Sequence, residues 1–253
     1  MSEISGKDNE FEFVKYLNGK KICELNPMFR ALIDKLFPTV NENSVIKSWK
    51  NHYEQKSDIF IKINGLMKGV SIKKGIRNSV HVESVSYFVH FLKDNGVSEE
   101  IINEYLRYHF ADGTTKGCGV ERVSIEENKK LNQHKIDMIN KVFNDEILIR
   151  KIIDRFITKG NNSNYYIDAI IYGEVDDFIW ATRTDIERII LSKKDVYSTA
   201  VHFGPITCQP KNRCLNYNKK YESERYYVQL KWYNLHDDII EWMNNKIIEN
   251  VES

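Results

Sequence analysis

The chain has 253 residues, 42% of them hydrophobic and 29% charged, with 37 Lys+Arg against 36 Asp+Glu and a net charge of +1. That is enough chain for one large domain or two small ones with a real core, and it is too apolar and too nearly neutral to be a disordered segment. The cancelling charges exclude a wholly basic nucleic-acid coat and an acidic tail protein, so an anionic partner has to meet a local basic surface.

The four cysteines, Cys23, Cys118, Cys208 and Cys214, form no CxxC pair and have no histidine at zinc-finger spacing. Reduced thiols are therefore expected rather than a disulfide frame or a structural zinc. The first ten residues are polar and lack the basic and apolar regions of a signal peptide. No apolar run approaches the roughly 18 residues of a membrane helix. A cytoplasmic protein with no membrane partner is the expectation. Only 4 prolines and 12 glycines punctuate the chain, without a linker-like stretch, which favours one unit over 1–253 with a C-terminal portion at 160–253.

In chain order, Asn26 and Pro27 suit a helix N-cap and first position, and Met28, Leu32, Ile33, Leu36 and Phe37 follow at helical spacing. From Ser57 the period falls to two. Ile59, Ile61 and Ile63 alternate with Phe60, Lys62 and Asn64, Asn64-Gly65 offers a hairpin turn, and Val70 and Ile72 alternate on the return. A helix is expected to start at Asn78 or Ser79 and to carry Val82, Val85, Phe88, Val89 and Leu92. Further helices are expected at 99–110, 124–143 and 144–158. The glycine-bearing loop at 112–119 lacks the Gly-Lys-Ser/Thr ending of a phosphate-binding loop and reads as a turn. After Gly160 strands are expected at 165–172, 177–181, 196–203 and 225–232, with a closing helix at 237–248. The fold class is α/β: a mixed central sheet flanked by helices, with a β-rich C-terminal portion.

A two-residue turn at Asn64-Gly65 sets the hairpin register. It places Asp58 opposite Ser71 on one face, with Lys73 two residues further along that face, and Ile59, Ile61, Val70 and Ile72 on the other. A slip of one residue would lose both the apolar face and the polar group, and a longer loop through Lys68 would give another register. A carboxylate so placed can hold a divalent cation, and an ammonium can orient a water or stabilise a phosphorane-like transition state. A cross-strand ion pair of little energetic weight is the plainer reading of the same residues.

The segment Lys56-Ser57-Asp58-Ile59-Phe60-Ile61, then Val70-Ser71-Ile72-Lys73-Lys74-Gly75, then Asn78-Ser79-Val80-His81-Val82-Glu83 resembles the PD-(D/E)XK nuclease superfamily, the restriction-endonuclease-like fold. There an Asp on one strand is followed on the next by acid-x-Lys. The resemblance implies Asp58 and Lys73 as catalytic residues and Mg2+ as cofactor, with Mn2+ as a substitute. It further implies a metal site built on Asp58 and a second acid, with Asp58 and the Ile72 carbonyl as the fallback should that acid point outward, and hydrolysis of DNA phosphodiesters to a 5′-phosphate, as in type II restriction or phage-defence enzymes. A homodimer, and a cognate methyltransferase or other defence component as partner, belong to the same expectation. The chain departs from the pattern at Ser71, where the second acid is expected. Glu83, taken as one turn into the helix starting at Asn78 or Ser79, is the candidate replacement in catalysis and metal binding, with Glu54 as the weaker rival.

Two windows without acids flank this pattern. Between Ile59 and Val82 stand Lys62, Lys68, Lys73, Lys74 and Arg77, and the expected helix start at Asn78, Ser79 and His81 adds free N–H groups as a phosphate seat. Between Val196 and Tyr221 stand His202, Gln209, Lys211, Asn212, Arg213, Lys219 and Lys220, types that contact phosphates and base edges, with Tyr217 and Tyr221 available for stacking. The portion from 160 on is accordingly the candidate for substrate recognition. His90, His109 and His134 form no HExxH pair, and no Gly-x-Ser-x-Gly elbow occurs. Two other classes stay open: a nucleic-acid-binding protein of the same fold without chemistry, which Ser71 favours, and a protein-interaction domain whose basic strip faces an acidic partner.

Overall fold

The computed structural model describes residues 6–53, 55–76, 78–160, 165–195 and 197–252, with side chains for all of these except 6, 7, 125 and 247–252. The elements are α1 (Gly6–Leu17), α2 (Pro27–Leu36), β1 (Lys47–Lys50), β2 (Ile59–Ile63), β3 (Leu66–Lys73), β4 (Asn78–Ser84), α3 (Val85–Asp94), α4 (Glu99–Phe110), α5 (Ile125–Phe143) and α6 (Glu146–Ile152). They continue as β5 (Ala169–Glu174), β6 (Asp177–Thr182), α7 (Arg183–Ser192), β7 (His202–Phe203), β8 (Ile206–Pro210), β9 (Tyr227–Trp232) and α8 (Leu235–Glu252). They fall into two compact units, each drawn from separated stretches of chain: residues 1–78, 153–189 and 234–253 in the first, 79–152 and 190–233 in the second.

The first unit holds a five-stranded sheet in the order β1-β2-β3-β5-β6, antiparallel except for β3 and β5. Its apolar face is the set expected from the alternation. Ile59, Ile61, Ile63, Val70 and Ile72 pack with Ala169, Ile171 and Phe178 against Phe13 and Leu17 of α1 and Phe29, Leu32 and Ile33 of α2. Each such side chain taken fully out of water contributes about 1.5–3 kcal/mol. Helix α2 begins as its sequence requires, with Asn26 accepting from the Phe29 N–H at 2.9 Å and Pro27 in the first turn. The hairpin turn has both central residues in the left-handed region, Asn64 at φ 48° and Gly65 at φ 86°. That geometry matches the twist of the flanking strands and yields the expected register, Ile63 with Leu66 and Ile59 with Val70.

The second unit has a four-stranded sheet, β4-β9-β8-β7, with α3, α4 and α5. Here the structure corrects the expected helix start. Residues 78–84 form strand β4, and the helix begins only at Val85, capped by Ser84, whose hydroxyl accepts from the Tyr87 N–H at 3.3 Å. Val80 and Val82 are β-branched and suit a strand, and three cap-type residues, Asn78, Ser79 and Ser84, each fit the apolar helical pattern that follows. The stretch expected as one helix at 144–158 is α-helical only to Ile152 and continues as a π-helix, Ile153–Lys159. The strand expected at 196–203 shrinks to His202–Phe203, and the one at 165–172 starts at Ala169. Among the described residues no helix is long and apolar enough to cross a membrane.

Candidate active site

Asp58 immediately precedes β2 and continues its pairing by one residue: its N–H donates to the Val70 carbonyl at 2.9 Å, and its carbonyl accepts from the Asn51 N–H at 2.9 Å. The register therefore brings Asp58, Ser71 and Lys73 together on the face opposite the isoleucines. Three donors converge on one carboxylate oxygen. Asp58 Oδ2 accepts from Ser71 Oγ at 2.9 Å, from the Ile72 N–H at 2.6 Å and from Lys73 Nζ at 3.4 Å. Lys73 Nζ also donates to the Ile72 carbonyl at 3.3 Å. Ser71 is buried, whereas Asp58 and Lys73 keep 24% and 22% of their side-chain surface open, so the pair is reachable from solvent.

The surroundings hold this geometry from both sides. Asn51 donates its side-chain amide to the Ser57 carbonyl at 2.9 Å. Gly69, in mid-strand, lets Ser57 approach so closely that an added Cβ would lie 2.2 Å from Ser57 Oγ. Asp168 accepts from the Gly69 N–H at 3.0 Å and from Lys68 Nζ at 2.9 Å, tying β3 to the start of β5. Asn51 and Asp168 carry no local sequence signal for this role; the mid-strand glycine is the one signal that marks the close approach.

A hard divalent cation fits the donors present. The Asp58 carboxylate, whose Oδ2 takes the Lys73 ammonium while Oδ1 receives no hydrogen bond among the described residues, and the Ile72 carbonyl are hard oxygens of the kind such a cation takes. Among the described residues no group of three or more His, Cys, Asp or Glu side chains is arranged to hold a metal ion.

Arg77 and Glu54 lie outside the described residues. Lys74 pairs with Glu174 at 3.1 Å, and Asn78 donates to the Gly75 carbonyl at 3.0 Å. Ser79 is exposed and His81 half-buried, but both stand on strand β4, so no helix N-terminus offers them a phosphate seat. Glu83 is corrected likewise: it is a strand residue of the second unit, its side chain 2% exposed, with Oε2 3.6 Å from His81 Nε2. The basic strip is also less bare than its sequence. Lys68, Lys73 and Lys74 each meet an acid from elsewhere in the chain or from just before the window.

In the second window His202 and Arg213 are enclosed rather than presented. His202 Nδ1 lies 2.8 Å from the Gly204 carbonyl, and burial lowers its imidazole. Arg213 donates to the Tyr108 carbonyl at 3.1 Å with its guanidinium over the Tyr108 ring, and burial lowers it too. Neither offers the open face that a backbone or base contact needs. Gln209 accepts from the Tyr233 hydroxyl at 3.3 Å, Lys211 pairs with Glu224 at 2.9 Å, and Asn212 donates to Glu224 at 3.4 Å. Lys219 and Lys220 are exposed. The loop at 112–119 is, as expected, a turn, folded around Asp112, which accepts from the N–H groups of Thr114 and Gly119. Arg225 reaches in to Asp112 at 2.9 Å with both side chains almost wholly enclosed. Arg122 clamps Glu222, whose carboxyl these hydrogen bonds pull down to about 2.

No protein-family model matches the chain, and no curated protein matches it. A solved structure does: the restriction endonuclease MspI in complex with its cognate DNA aligns at a TM-score of 0.57 and 15% identity, over 89% of this chain and 88% of that one. The fold is restriction-endonuclease-like. The agreement extends across both units of the chain, and at this identity it concerns architecture alone.

Proposed function

We propose that the chain is a nuclease that hydrolyses DNA phosphodiester bonds, with Mg2+ as cofactor and Mn2+ as substitute. The observation that carries the reading is the convergence of Asp58, Ser71 and Lys73 on one sheet face, in a fold similar to that of a restriction endonuclease solved with DNA. Asp58 and the Ile72 carbonyl would hold the cation, which lowers the pKa of a bound water and offsets charge building on the phosphate. Lys73 supplies a positive charge that orients the attacking water and stabilises the pentavalent phosphorus. The product carries a 5′-phosphate. A type II restriction or phage-defence role, a homodimer acting on both strands, and a cognate methyltransferase or other defence component complete the reading.

Plasmid DNA incubated with Mg2+ or Mn2+ tests this. Wild type should cleave, while Asp58→Ala and Lys73→Ala should each lose on the order of 10²–10³-fold or more of the rate, the usual cost of removing a transition-state charge partner. Glu83→Gln with unchanged cleavage fits the one-carboxylate site. Ser71 favours the second reading, a DNA-binding protein of this fold without chemistry: retention of DNA by wild type with no cleavage under either metal would establish it. The paired state of Lys68, Lys74 and Lys211 favours the third, an interaction domain, which a flat salt dependence of DNA retention would support.

A further inference from the structure

Ser71 stands two residues before Lys73, on the face of β3 that carries Asp58, and a neutral hydroxyl is a poor ligand for a hard dication. Its geometry assigns it other work. The hydroxyl donates to Asp58 Oδ2 at 2.9 Å beside the rigid Ile72 N–H at 2.6 Å, and Lys73 approaches the same atom. Among the described residues Oδ1 of Asp58 receives no hydrogen bond. One oxygen is thus fixed by donors from a single strand and the other is turned loose. Two donors a residue apart on a buried strand define a plane, so they select one rotation of the carboxyl group rather than merely attracting it.

We infer that Ser71 is a positioning residue: by pinning Oδ2 of Asp58 it presents Oδ1, and only Oδ1, to a cation. The inference rests on the nuclease reading and deepens it. Asp58 and the Ile72 carbonyl would hold one hard cation there, and water and substrate phosphate oxygens would complete it, as at Mg2+ sites with one carboxylate. Groups that orient a ligand from outside the coordination shell control affinity as well as rate, since a misaligned carboxylate has to be reordered before it can bind.

The test is a titration of full-length protein with Mn2+ alone, followed by the resonance of free Mn2+, for wild type, Ser71→Ala, Ser71→Thr and Asp58→Asn, together with kcat and KM for plasmid cleavage. Ser71→Ala should bind Mn2+ about 10-fold more weakly at unchanged stoichiometry and lose kcat in similar proportion, with KM for DNA unchanged. Ser71→Thr, which keeps the hydroxyl on a strand that accepts β-branched residues, should recover most of both. Asp58→Asn should abolish uptake. Wild-type affinity and kcat in Ser71→Ala, or failure of Ser71→Thr to restore what Ser71→Ala loses, overturns the positioning role while leaving the nuclease reading intact. A wild type that takes up no Mn2+ and cleaves nothing overturns the reading and the positioning role with it.

Discussion

His109 shows how much one buried side chain can set. Its Nε2 lies 2.7 Å from the Arg225 carbonyl, so Nε2 carries the proton and Nδ1 is left to accept from the Tyr105 hydroxyl at 3.4 Å. Burial lowers the imidazole from its usual 6.5 to about 4. Between those values the unfolded chain binds a proton that the folded chain refuses. The contribution is therefore fully present above about pH 6.5 and declines as the solution is acidified to about pH 4, by up to about 3 kcal/mol at about 1.4 kcal/mol per pH unit. Urea unfolding measured from pH 7.5 to 4.5 should show that slope, and His109→Gln should flatten it. The neighbouring Arg225–Asp112 pair is enclosed on both sides. Arg225→Met should destabilise by about 3–5 kcal/mol, because it leaves a buried carboxylate without its counter-ion; the midpoint of chemical unfolding reads this out. Asp58, Ser71 and Lys73 were legible in the sequence because a short hairpin fixes their positions with purely local information. The acids that neutralise Lys68 and Lys74 were not, since Asp168 and Glu174 each stand 100 positions away and reach β3 only through the parallel pairing with β5.

Among the elements, the β2–β3 hairpin carries the site, and its turn is the part that substitution can probe. An Ala at Gly65, held at φ 86°, should cost about 1–2 kcal/mol, the strain of a left-handed residue bearing a Cβ. Gly69→Ala should do something different. Its Cβ would press on Ser57 Oγ and on the Tyr166 carbonyl, so the segment that delivers Asp58 must shift. Cleavage is expected to fall far more than the thermal midpoint, and the two measured together separate local displacement from general unfolding. Strand β4 shows where pattern reading failed. The apolar spacing of Val82, Val85, Phe88 and Leu92 runs unbroken across the boundary, and only the hydroxyl of Ser84, bonded to the Tyr87 N–H, marks where the strand ends and the helix begins. Helix 99–110, capped by Ser98, matches the structure closely because cap and periodicity agree there, whereas the one expected at 124–143 starts after its cap Ser124 and is kinked at Asn132 (φ −129°).

At the scale of the molecule, a net charge of +1 means that an anionic partner would have to meet locally clustered exposed cations. Lys219 and Lys220 are exposed in the acid-free window. If they touch phosphates, the double Lys219→Ala, Lys220→Ala variant should bind more weakly at low salt and lower the slope of log K against log salt by about 2. Filter binding across a salt series measures it. The strands expected beyond residue 160 divide between two sheets, β5 and β6 in one and β7, β8 and β9 in the other.

The parallel pairing of β3 with β5 has a consequence during synthesis. Val70 meets Ala169, so on a ribosome adding about 5–20 residues per second the edge of β3 waits roughly 5–20 s for its neighbour. Throughout that interval a nascent hairpin with an isoleucine face and an open row of amide donors is available to any other extended chain. Holding factors that shield such edges, or a slower and cooler expression regime, should therefore raise the yield of native protein.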